Sequence, residues 1–104
     1  MTRSAASAFP EIHRVFSGYL HEDLVVDAGT PERALRTFWS DAAPNERRRF
    51  QREARRLLEQ VSTLELDAIR DLVRQLGGRW VPPSREALVA LLTAASSFDH
   101  SRQR

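Results

Sequence analysis

Five prolines divide this chain, and they constrain its fold more than any other feature. A proline lacks an N–H and holds φ near ~−65°, so it opens helices and is excluded from helix interiors and central strands. Pro10, Pro31 and Pro44 each precede a run in which apolar residues recur three and four positions apart, while Pro82 and Pro83 force the residues ahead of them extended. After Pro10, the residues Ile12, Val15, Phe16, Tyr19 and Leu20 share one face, which predicts a helix over 10–20. The stretch "LVVDAG" then reads as a loop running to a turn at Gly29. Thr30 is an N-cap, Pro31 the first helical residue and Glu32 a charge at the positive helix end, with Leu35, Phe38, Trp39 and Ala42 inward. From Pro44 the apolar arc is Phe50, Ala54, Leu57, Leu58 and Val61, with Arg48, Arg52, Arg55 and Glu59 opposite.

Ser62 followed by Glu65 has the pattern of a capping box, and Leu66, Ile69, Leu72, Val73 and Leu76 form the stripe of a fourth helix. Gly77 and Gly78 supply a left-handed residue to close it. Asp67 and Asp71 each stand three residues before an arginine, Arg70 and Arg74, a spacing worth a few tenths of a kcal/mol per pair. Beyond "RWVPPS", Ser84 caps a last helix bearing Leu88, Val89, Leu91, Leu92 and Ala95. With no alternating strand, the expectation is an all-α fold, a compact bundle of about five amphipathic helices. Residues 9–96 form its single domain, between a disordered 1–8 and a frayed 97–104.

A chain of 104 residues hides about 60–65% of its unfolded surface and needs no staple. None is offered by cysteine, which is absent, so disulfides, thiolate metal sites and cysteine nucleophiles are excluded. No apolar run spans a bilayer and "MTRSAASAF" lacks the apolar centre of a secretory signal, which predicts a cytoplasmic protein. All 16 basic residues are arginines and the net charge is +2; arginine without lysine fits a GC-rich coding bias better than a nucleic-acid footprint. The charge is unevenly spread. Between Glu11 and Glu32, five carboxylates oppose Arg14 alone, 1 − 5 = −4, whereas Pro44 to Gln60 holds six arginines and three glutamates, 6 − 3 = +3.

Catalytic and cofactor chemistry find no foothold. His13, His21 and His100 belong to no catalytic motif, and the first two are eight residues apart, too far to share a metal on one helix. The glycines are scattered rather than gathered into a phosphate cradle. No catalytic residue, metal site or cofactor is therefore expected. The arginine-rich face of residues 47–56, centred on Arg48, Arg52 and Arg55, is the alternative reading, a grip for nucleic acid or a regulatory partner, with Glu46, Glu53 and Glu59 interleaved. The acidic Glu22, Asp23 and Asp27 have no arginine nearby in sequence and read either as solubility charges or as a docking edge for a basic partner. Trp39 and Trp80 suit either core or interface.

The stretches "FPEIHRVFSGYLHEDL" and "GTPERALRTFW" resemble the signature of bacterial contact-dependent growth inhibition immunity proteins, CdiI type. Members of that family read close to "FPEL", "FFGGYFHQDW" and "GTPEEAL". The later "LGGRWVPPS" with its leucine-rich helix also fits, so the resemblance covers residues 9–95. Ser17 replaces a glycine of that pattern, Leu20 an aromatic, Glu22 a glutamine and Leu24 a tryptophan. What the resemblance implies is a small protein that binds the C-terminal toxin domain, often a nuclease, of a large surface protein delivered by a neighbouring cell; the chain is expected to be a monomer before it binds toxin. Blocking or displacing the toxin's active site would protect the cytosol. On this implication Glu22, Asp23, Asp27 and Glu32 are the candidate toxin contacts, across an interface of about 1,600 Å². The residues of the signature, Phe9, Pro10, Glu11, Phe16, Gly18, Tyr19, His21, Gly29 and Pro31, are expected to build the fold, with Glu11 a capping charge and His21 bonded to the following turn.

Overall fold

The computed structural model describes residues 5–20 and 29–98. Among the described residues it has six helices and no strand: α1 (Ala5–Ala8), α2 (Pro10–Tyr19), α3 (Pro31–Asp41), α4 (Pro44–Val61), α5 (Leu66–Gln75) and α6 (Arg85–Ser96). The all-α expectation holds, and each proline-led helix starts where its proline stands. Thr30 Oγ1 accepts the N–H of Arg33 at 3.2 Å and Ser84 Oγ that of Ala87 at 3.1 Å, so both expected caps form. Gly77, at φ +88°, takes the left-handed conformation that ends α5.

Two expected local pairings do not form. The N-cap of α5 is Glu65, and the Ser62 hydroxyl instead donates to the carbonyl of Glu59 at 2.7 Å. A carboxylate brace of that kind appears one helix earlier, where Glu46 accepts the N–H of Ala43 at 2.9 Å. Asp71 does pair with Arg74, at 2.5 Å, but Arg70 turns from Asp67 to the carbonyl of Pro82 at 2.9 Å.

The longest helix, α4, is the centre of the bundle. It packs most extensively on α6 and also on α2, while α3 closes against α2 and α6. Phe16, Phe50, Leu57, Ile69, Leu88 and Leu92 are fully buried between them. The aromatic rings form a connected chain: Tyr19 meets Phe38 edge-on at 5.8 Å, Phe38 meets Phe50 at 4.9 Å, Phe50 meets Trp39 at 6.5 Å, and Trp39 meets Phe98 at 5.4 Å. Each such pair adds about 0.5–1.5 kcal/mol beyond area burial. Trp39 is thereby a core residue.

At each end of the described residues, side chains of α4 hold the chain. Within the stretch 1–8, expected to be disordered, Ala5–Ala8 is helical, and Arg56 donates to the carbonyl of Ala8 at 2.7 Å while stacking over Phe9 at 5.0 Å. Of the tail 97–104, expected to fray, Phe98 is buried, and Gln51 Nε2 donates to its carbonyl at 2.9 Å and to that of Ser96 at 3.1 Å. A buried side chain in each case offsets the entropy of ordering the chain end.

Candidate partner-binding surface

The start of α2, where the acidic third of the sequence begins, is fixed by an inward-facing carboxylate. Phe9, its N-cap, has no capping side chain, which leaves the first N–H groups of the helix in want of acceptors. Glu53 of α4 supplies one: its Oε1 accepts the N–H of Ile12 at 2.9 Å. Burial pushes the Glu53 carboxyl up from its ordinary range, opposed by the hydrogen bonds from the Ile12 and Glu11 backbone. Glu53 thus leaves the arginine face on which the sequence reading set it. Around it, Glu11 accepts from Arg14 at 2.6 Å and from Arg49 at 3.1 Å, and Arg14 lies 3.4 Å from Glu46. This network spends the Glu11 charge on joining α2 to α4.

Of the four candidate contact carboxylates, Glu22, Asp23 and Asp27 lie outside the described residues, as does His21. Glu32 is in the first turn of α3, exposed, and takes Arg36 Nε at 3.2 Å and Nη2 at 3.1 Å. Gly29 precedes it at φ +90°, in the left-handed region, and Pro31 is the first residue of α3. Phe9 and Phe16 are buried, Tyr19 is half-buried on Phe38, and Gly18 faces open space on α2. Pro10 is exposed at the first position of α2.

The six arginines of α4 divide by role. Arg47 donates to the carbonyl of Trp39 at 2.8 Å and lies over its ring, Arg49 holds Glu11, and Arg56 holds Ala8. Arg48, Arg52 and Arg55 are exposed and take no partner among the described residues. His13 is half-buried, and no three histidine, aspartate or glutamate side chains gather as a metal site among the described residues. No described helix is long and apolar enough to cross a membrane.

One surface, of which the sequence reading singled out only Trp80, lies on the link between α5 and α6. Arg70, Arg74, Gly78, Arg79, Trp80 and Val81 line a groove of about 290 Å³, and Val81 is 64% exposed. Its signal was available in "RWVPP", where two prolines keep an aromatic and a branched apolar residue out of any helix. On the same link the Arg79 N–H donates to the carbonyl of Leu20 at 2.6 Å, at the point where the chain enters the acidic stretch.

Compared with known families, residues 8–91 match the model described as CdiI immunity protein. Neither the curated proteins nor the solved structures give a match.

Proposed function

The chain belongs to the CdiI immunity protein family, and we propose that it acts in the cytosol as a non-catalytic inhibitor, binding a nuclease toxin domain delivered by contact. The observation that carries this reading is the extent of the family match, which runs from α1 into α6. A nuclease holds its phosphate backbone on a positive surface, so an acidic edge formed by Glu22, Asp23, Asp27 and Glu32 is the complementary face. Opposite fields speed the encounter, and occlusion or displacement of the catalytic cleft follows from docking there.

The test is co-expression. The gene immediately upstream is expected to encode a large secreted filamentous protein whose C-terminal domain stops growth when produced alone. Growth restored by this chain, with a complex that survives gel filtration, is the expected result. Toxicity unchanged by co-expression would overturn the reading.

A second reading rests on the exposed guanidinium groups of Arg48, Arg52 and Arg55, which take no partner among the described residues and suit a nucleic-acid backbone. It requires RNA or DNA binding that falls steeply with salt and disappears when all three are replaced by alanine.

A further inference from the structure

The α5–α6 link is held rigid while it displays apolar surface. Arg70 donates to the carbonyls of Pro82 at 2.9 Å and Pro83 at 3.5 Å. Arg79 is tied through its backbone to Leu20, and Pro82 itself is buried. Gly78 runs against Val73 and Phe16 where a Cβ would be crowded, so the link lies flat on the core. What this clamp presents is Val81, the exposed large apolar side chain of the described residues, next to half-buried Trp80. Around them stand Arg70, Arg74 and Arg79, with Asp71 as the neighbouring carboxylate, bound to Arg74. The local balance is 3 − 1 = +2.

Tryptophan and arginine at a fixed, partly apolar surface are the residue types that anchor protein interfaces, and rigidity removes the ordering cost of binding. A second copy of this chain is a poor occupant, since two-fold contact would set arginines against arginines. Nucleic acid would meet the guanidinium groups but leave the aliphatic Val81 without an apolar counterpart. An acidic segment with one apolar side chain satisfies both features.

We propose that Arg74, Arg79, Trp80 and Val81 form a second docking surface, which takes an acidic loop of the toxin domain. This rests on the immunity reading and extends it: the partner meets an acidic edge with its basic cleft and a basic ledge with its own carboxylates. A near-neutral inhibitor then gains electrostatic complementarity from two opposed patches rather than from net charge.

The experiment measures binding of the wild-type chain to the C-terminal domain of the upstream-encoded surface protein by biolayer interferometry, alongside Val81→Asp and the double variant Arg74→Glu/Arg79→Glu. All three side chains are exposed, and thermal melts confirm folding. The expected result is at least a tenfold loss of affinity for each variant, the charge reversal acting mainly through slower association at low salt. Wild-type affinity in both variants overturns this surface and leaves the immunity reading standing. Tighter binding by the charge reversal overturns the acidic identity of the partner loop. No binding by the wild type removes the immunity reading and this inference with it. A single-stranded RNA oligonucleotide is the last arm: binding by the wild type that Arg74→Glu/Arg79→Glu abolishes would assign the ledge to nucleic acid and overturn the proposal.

Discussion

Glu53 Oε1 accepts the N–H of Ile12 at 2.9 Å across 41 residues of sequence, so a carboxylate of α4 caps the start of α2. Replacing it with alanine removes the acceptor and strands a buried donor, at a cost of about 1–3 kcal/mol. Glu53→Gln keeps an acceptor of the same shape without the buried charge and is expected to stay within about 1 kcal/mol of wild type. Urea unfolding of the two variants separates them; equal losses would mean that the hydrogen bond contributes nothing.

The same burial predicts a pH dependence. The folded carboxyl of Glu53 is raised above its unfolded value, so the native state holds that proton more tightly. Its contribution is fully present below the unfolded glutamate pKa of ~4.3 and is lost as pH rises through the raised folded pKa. The stability difference, wild type minus Glu53→Gln, should therefore fall across that window, and the subtraction cancels the other carboxylates. A difference that rises with pH would reverse the assignment of burial as the dominant cause.

At Gly77 two obstacles to a side chain coincide. Its φ is +88°, and a Cβ built there would collide with Ser17 Oγ of α2. Gly77→Ala is expected to destabilise by about 1–3 kcal/mol from strain and displacement together. Adding Ser17→Gly removes the collision but not the strain. A double-mutant cycle should return a favourable coupling of about 0.5–1.5 kcal/mol; zero coupling would show that the serine moves aside freely.

The bundle was legible because its signals are local. Thr30, Ser84 and the three helix-opening prolines act within one turn of themselves, and the apolar stripes count out at helical spacing. Most of what escaped, the Ser62 cap apart, depends on partners distant in sequence. Arg70 prefers a carbonyl of the α5–α6 link to Asp67, and Phe98 and Ala8 are held by α4 side chains more than 40 residues away. Glu53 is the instructive case: it lies three residues after Phe50 and four before Leu57, the spacing of the buried stripe itself, and only its charge argued for the surface. The pairing of Glu32 with Arg36, by contrast, was readable from the i, i+4 spacing.

That pairing grades the candidate acidic edge. Glu32 shares its charge with Arg36 at 3.1 Å, whereas Glu22 and Asp23 have no arginine within four positions in the sequence. If the edge steers a basic toxin, Glu22→Arg with Asp23→Arg should slow association about tenfold or more at low salt and invert its salt dependence. Glu32→Arg alone changes the field by as much per residue but also sets two guanidinium groups one turn apart. Its loss in association rate should therefore come with a small loss of stability, about 0.3–0.5 kcal/mol. Stopped-flow association with the toxin domain over a range of ionic strength measures both effects. Association rates that match wild type at low salt would remove Glu22, Asp23 and Glu32 from the interface.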